Sequence, residues 1–321
     1  MLEIEQYNDK LADRWDSLVW QANNGTLFHT RKFLSYHPNN RFKDHSLIFN
    51  KKNKPFVLFP AAEVNIDNGR LLVSHPGASY GSFVTPRDLS FSKAYELVES
   101  LLSHAKDKSF QGIRLTLPPT IYNSRLSNYI DFALLKHGFS YLNREISSIL
   151  FLEQTAEQNL RKFRPSHRQA VRKAERSGIV IKQSEAFNEF FRILSKNLKI
   201  RHNVSPTHTE KELYLLKSMF PDKIYLHGAY YKGKMIAGVV TFDCTENAVL
   251  AFYISHDESF QEMRPLNLLF YEIFKIAIAQ NKKVFDFGIF TVNEEPNFGL
   301  GRFKENFGAS GMFRDTFQII L

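Results

Sequence analysis

Cysteine is almost missing from this chain: Cys244 is the only one in 321 residues. That excludes an intramolecular disulfide and a multi-cysteine metal site, and it fits a reducing, cytoplasmic setting. Histidines are present, but none has metal-helix spacing and no Cys/His pairs occur, so no metal is expected. No stretch without charge is long enough to span a bilayer, which leaves only peripheral contact with a membrane. Glu3, Glu5, Asp9, Lys10, Asp13, Arg14 and Asp16 crowd the N-terminal segment and exclude a signal peptide. A Gly/Ser-rich tether is lacking too, so a flexible linker between domains is not expected.

What the chain does have is aromatic and basic. Its apolar fraction of 43% with 30 Phe marks a globular protein with an aromatic core, long enough for two domains of ordinary size. The net charge of +9, from 42 basic and 33 acidic residues, attracts an anionic partner without naming one.

The element pattern repeats. The first half reads as a weak strand near 3–7, a helix capped by Asn8 or Asp9, and a short helix over 30–36. Strands follow over 45–50, 56–65 and 71–75, then a helix from Ser90 to 106, a strand over 113–117, a helix over 124–137 and a long strand through 151. The second half opens on a Thr155/Gln158 capping box, and Pro165 suits the first turn of a helix ending at Gly178. A strand over 179–183, a helix over 186–200 and a second capping box at Thr209/Glu212 come next. Strands over 224–231, 235–243 and 249–255, a helix over 265–280, and strands over 284–287 and 312–320 complete it. Both halves run strand, helices, three-strand meander, helix, strand, helix, strand. A period this long predicts a duplicated α/β domain with mixed sheets, divided as 1–152 and 153–321.

The stretch 285–309, FDFGIFTVNEEPNFGLGRFKENFGA, is the most informative. The apolar run over 284–287 suits a central strand, Gly288 ends it, and a Gly-rich loop leads to Arg302-Phe303-Lys304. Ligands of open α/β sheets often sit beyond such strand ends. DFG followed by GLGRFKENFG resembles the C-terminal signature of the Fem-type proteins, tandem relatives of the GNAT acyltransferases. RPSHRQAVRKAERSGI at 164–179, KMIAGVVTF at 234–242 and FYISHDE at 252–258 resemble it too, covering most of 150–321. NGTLFHTRKFLSYH and VLFPA match the first half more loosely. The resemblance implies tandem duplicated GNAT-like acyltransferase domains. It further implies transfer of an amino acid from aminoacyl-tRNA onto an amine of a peptidoglycan (cell-wall) precursor. Other relatives are assigned as acyl-CoA-dependent acetyltransferases.

On that resemblance Lys304 lies near the reacting carbonyl or the donor's phosphate, where a fixed ammonium stabilises a developing oxyanion; Arg302 and Phe303 are substrate contacts. Tyr253 positions the donor or protonates its leaving group. His256 has a pKa suited to taking the amine's proton, although a locally bonded edge histidine is the plainer account of it. His202 and His208, in a helix–helix connection, are candidate substrate contacts, with a structural role for His208 left open. Arg164, Arg168 and Arg172 recur every four residues, joined by Arg176, and only Glu175 opposes them, which suits a polyanionic donor. A CoA-binding GNAT carries a Gly-rich pyrophosphate loop where this chain has 261–267. Here there is no glycine, Pro265 lacks an N–H and Glu262 repels phosphate, which argues against ordinary acetyl-CoA binding unless Arg264 substitutes. From the first half, Lys32, Tyr80 and Gly81 are expected to approach the acceptor in a cleft between the halves.

The expected reaction is direct attack of an acceptor amine on an aminoacyl or acyl donor, without a covalent enzyme intermediate, since Cys244 is poorly placed and no Ser–His pair is evident. No tightly bound cofactor is expected; the donor, aminoacyl-tRNA or acyl-CoA, is a co-substrate. The competing readings are an acyl-CoA N-acetyltransferase acting on an amino sugar or small amine, and a non-catalytic RNA-binding protein on a transferase fold. A Lys304 buried in an ion pair would mark the last.

Overall fold

The computed structural model describes residues 2–38, 40–202 and 205–321, without the side chains of 200–202. Two compact units divide it: Met1–Glu145 together with Phe313–Leu321, and Ile146–Met312.

In the first unit the chain forms β1 (Glu3–Gln6), α1 (Ala12–Gln21), α2 (Arg31–Leu34), β2 (Lys43–Asp44), β3 (Leu47–Lys51), β4 (Lys54–Phe59), β5 (Ala62–Ile66), β6 (Gly69–Ser74), α3 (Phe91–Asp107), β7 (Gly112–Thr116) and α4 (Tyr129–Lys136). Strands β1, β3 and β4 make one sheet, and β2, β5, β6 and β7 lie in that order in another. The single strand expected over 56–65 is therefore two strands in different sheets. Pro60 has no N–H for a ladder, its carbonyl accepts from Ser74 Oγ at 2.5 Å, and Ala61 N donates to Ser46 Oγ at 3.1 Å. Helix α4 also starts later than expected, because the N–H groups of Ser124 and Arg125 are bonded to the Asn23 carbonyl and Oδ1, each at 2.8 Å. Helix α3 turns Ala94, Leu97, Val98, Leu101 and Ala105 into a core shared with Leu72, Ile113 and Leu115.

β8 (Ser140–Phe151) leads into the second unit. There follow α5 (Ala156–Lys162), α6 (Pro165–Arg176), β9 (Val180–Ser184), α7 (Phe187–His202), α8 (Glu210–Met219), β10 (Ile224–Tyr231), β11 (Lys234–Asp243), β12 (Ala248–His256), α9 (Pro265–Ala279), β13 (Val284–Ile289), a small hairpin of β14 (Thr291–Val292) and β15 (Glu295–Pro296), α10 (Phe298–Glu305) and β16 (Ser310–Ile320). Its sheet order is β8–β13–β12–β11–β10–β9. Both capping boxes form as read from the sequence, Thr155 with Gln158 and Thr209 with Glu212. Phe163, Phe270, Phe274, Phe285, Phe287 and Phe307 meet ring to ring under α9, each buried phenyl stabilising the unit by about 1.5–3 kcal/mol.

The last strand departs from the expected division at 152/153. Its end pairs antiparallel with β7 of the first unit, Thr316 opposite Thr116 and Ile320 opposite Gly112, and puts the fully buried Phe317 into that unit's core. Among the described residues no helix is long and apolar enough to cross a membrane.

Candidate active site

β12 and β13 pair in parallel only through Ala248–Val284, Val249–Phe285 and Leu250–Asp286. Beyond that point β12 stays with β11 as far as His256, while β13 swings away through Gly288, whose φ of +74° favours glycine. The strands part beside a bulge. Val240 pairs with Tyr253 and Thr241 with Ala251, so Phe252 is the extra residue. A bulge re-aims side chains, and here it turns both Phe252 and Tyr253 toward His208, at ring distances of 5.2 and 5.9 Å.

Tyr253 and His208 form a defined pair. The Tyr253 hydroxyl oxygen accepts from the His208 backbone N–H at 3.1 Å and lies 2.9 Å from His208 Nδ1, the imidazole tautomer deciding which of these two donates. Both side chains are buried, and burial pushes the tyrosine pKa up, keeping the phenol protonated at neutral pH. Past the bulge, Asn197 of α7 donates to Ser255 Oγ at 2.8 Å and to the His256 carbonyl at 2.6 Å. A cavity of about 500 Å³ adjoins the pair, lined by Phe191, Ser195, Lys199, Pro206, His208 and Glu210. Ser195 Oγ is buried without a hydrogen-bond partner among the described residues. His256 sits half-buried at the strand end. The side chain of His202 lies outside the described residues.

Lys304 is not where the oxyanion role needs it. Only 1% exposed, it donates to the carbonyls of Gly288 and Ile289 at 2.7 and 2.8 Å. Asp286, fully buried, fixes the same turn by accepting from Gly288 N at 2.7 Å and Ser147 Oγ at 2.5 Å. Burial pushes the lysine pKa down to about 7 against the pull of the Asp286 carboxylate. The DFG and FKENFG segments thus build a clamp that holds the end of β13 away from β12. Phe303 packs on the core at 5.1 Å from Phe307, and Arg302 is exposed.

A cationic cluster forms where α6 and α9 begin. Both helices start with an Arg-Pro pair, Arg164-Pro165 and Arg264-Pro265, and neither N-terminus is capped by a side chain. Arg264 adopts a left-handed φ of 58°, strained for a side chain with a Cβ. Between the two arginines lies His167, whose pKa is lowered by burial and then by the charges of Arg264 and Arg164. Its Nε2 is buried without a partner among the described residues, and its ring stands 6.3 Å from Phe303. Sequence reading passed over His167; the repeated Arg-Pro pair at two helix starts was the available signal. The arginine stripe is uneven. Arg164 and Arg172 are exposed, but Arg168 Nη1 caps the end of α5 by donating to Phe163 O at 2.8 Å and Arg161 O at 3.1 Å.

The first-unit candidates separate. Lys32 is exposed on α2. Tyr80 is 1% exposed, packed on Phe28 and Tyr122. Gly81 is buried: its N–H donates to Thr116 O at 2.8 Å, its carbonyl accepts from His29 Nε2 at 2.8 Å, and a Cβ would lie 2.1 Å from Ser74 O. In this unit β6 and β7 also pair in parallel, to Ser74–Leu115, but the segment around Gly81 folds back over the strand ends. As placed, Tyr80 and Gly81 plug the first unit and do not line an open surface. Among the described residues no group of three metal-binding side chains occurs.

The second unit is thus framed by a parallel strand pair that opens beside a bulge, next to a helix whose N-terminus no side chain caps. Residues 161–305 match the acetyltransferase (GNAT) domain family, so the second unit carries a GNAT-type acyltransferase domain. Over the whole chain the fold is that of tandem GNAT proteins. The solved structure of FemX superimposes with a TM-score of 0.75 at 13% identity, covering 99% of this chain and 97% of that one. The C-terminal domain of a putative lysylphosphatidylglycerol synthetase from Agrobacterium fabrum gives 0.60 at 11% identity, covering 97% and 92%. A tandem GNAT protein from the clavulanic acid biosynthesis pathway gives 0.59 at 9% identity, covering 100% and 98%. At these identities the likeness is one of fold. No curated protein matches the chain in sequence.

Proposed function

We propose that this protein transfers an aminoacyl group to an amine acceptor, with all the chemistry in the second unit. The observation that carries this reading is the Tyr253–His208 pair beside the parting of β12 and β13. An amine that attacks an ester must lose a proton, and the leaving oxygen must gain one. Tyr253 Oη, with His208 Nδ1 behind it, is a relay able to take the first proton and return it to the leaving oxygen. The neighbouring cavity receives the acceptor, with Ser195, Lys199 and Glu210 as polar contacts. Arg164, His167 and Arg264 hold a donor phosphate at two uncapped helix starts.

Aminoacyl-tRNA is preferred over acyl-CoA as donor. A CoA pyrophosphate needs a run of free N–H groups in the loop entering α9, and Pro265 and Glu262 stand there instead. A cell-wall precursor amine is the acceptor that the Fem-type resemblance implies. The test is calorimetric titration with acetyl-CoA beside filter binding and transfer with charged tRNA, using cell-wall precursors as acceptors. Micromolar affinity for CoA with no tRNA binding would overturn the choice of donor and favour an N-acetyltransferase.

A further inference from the structure

The transferase reading leaves one surface of the first unit without a use. On α4, Tyr129, Phe132 and Leu135 are 39%, 45% and 42% exposed; Leu126, just before it, is 75% exposed and Phe91 at the start of α3 is 45% exposed. These residues are contiguous: the Phe91 ring lies 4.9 Å from Tyr95, 5.4 Å from Tyr129 and 5.7 Å from Phe132. The opposite side of α4 is apolar as well, with Ala133 and Leu134 fully buried. A helix apolar on both sides is built to be covered on both, and a continuous exposed patch marks an interaction surface.

The rim of the patch indicates what covers it. Arg87, Arg125 and Asp131 line one hollow with Leu126 and Tyr129 at one end, and Asp88 follows Arg87. Glu99, 3.4 Å from His137 Nε2, and Lys136 mark the other end. A bilayer with anionic lipids selects a rim that is basic throughout. A rim with both signs around an apolar centre suits a surface that meets itself across a twofold axis. We propose that this face joins two copies of the chain, with α4 crossing its symmetry mate antiparallel so that Arg125 meets the partner's Glu99.

Sedimentation equilibrium between roughly 1 and 100 µM tests this, since a self-association of ordinary strength is resolved in that range. The wild type is expected to dimerise, and Phe132→Glu to be monomeric with an unchanged thermal midpoint. Arg125→Glu should weaken the dimer at least about tenfold, and adding Glu99→Arg should restore it, because the swap returns opposite charges to each contact. A wild type that stays monomeric throughout, or a double variant no better than Arg125→Glu alone, overturns the proposal. So does a wild type that cosediments with phosphatidylglycerol vesicles while Phe132→Glu does not, an outcome that gives the face to a bilayer.

Discussion

At the scale of the residue, Lys304 shows how burial changes what a side chain does. As an exposed cation near a reacting carbonyl, its loss would leave stability unchanged and remove turnover. Buried and bonded to two carbonyls, it is a structural clamp whose removal leaves Gly288 and Ile289 O unsatisfied. Lys304→Met, which keeps the volume, is therefore expected to lower unfolding free energy by about 2–4 kcal/mol. The pH dependence has a definite sign. With its folded pKa depressed to about 7 from an ordinary value of 10.5, the folded state binds fewer protons than the unfolded state between those values. Stability from this group thus rises with pH from about 7 to 10.5, and the cost of holding a buried ammonium is complete below pH 7. Urea melts across that window should show a rising component in the wild type that is missing in Lys304→Met. Equal slopes would mean that the ammonium is solvated. The sequence motif singled this lysine out but did not show it to be buried, because its burial rests on two carbonyls contributed by a strand end fifteen and sixteen residues earlier.

Elements carry the chemistry one level up. The bulge at Phe252 and the short pairing of β12 with β13 bring a strand tyrosine against a histidine from the start of α8. Tyr253→Phe removes the relay's hydroxyl but keeps the ring, so turnover should fall on the order of 10²-fold or more in a single-turnover assay. Stability should fall by about 1–3 kcal/mol, because the buried His208 N–H and Nδ1 lose the hydroxyl they share. Full turnover in the variant would remove Tyr253 from the proton path. Local signals made much of this level legible. Capping boxes, Pro at first helical turns and period-two runs located α5, α6, α8 and the β10–β12 meander within a residue or so. Tyr253 and His208 were both singled out, but their contact was not, since a bulge is a mismatch between two strands and leaves no mark on either alone. The break at Pro60 and the late start of α4 were missed for a related reason: each depends on a side chain, Ser46 or Asn23, far along the chain.

The whole molecule is a duplication whose halves have diverged, and the consequence is stoichiometric. In the second unit β12 and β13 part and leave the start of α9 uncapped, with Arg164, His167 and Arg264 beside it. In the first unit the equivalent strand ends are covered by the chain itself, with Gly81 N on Thr116 O and Ser82 N on Ser74 Oγ at 2.7 Å. Helix α3 is capped there by Ser90, whose hydroxyl already engages the N–H of Lys93. A ligand would have to displace those bonds and the packed Tyr80 ring, and enlarging Gly81 cannot open the space, since a Cβ would lie 2.1 Å from Ser74 O. One donor molecule per chain is therefore expected, whichever donor proves correct. Calorimetric titration should give a stoichiometry near one. Arg164→Glu with Arg264→Glu should abolish the heat, because reversing two cations at an anion site removes attraction and adds repulsion. Lys32→Glu, on the exposed α2 of the first unit, should leave it unchanged. If the donor is RNA, the affinity should also fall with salt at a slope of roughly −0.7 for each phosphate contacted, and the double reversal should flatten that slope. Two equivalents bound, or undiminished binding after the arginine reversals, would place the donor elsewhere in the chain and remove the asymmetry between the halves.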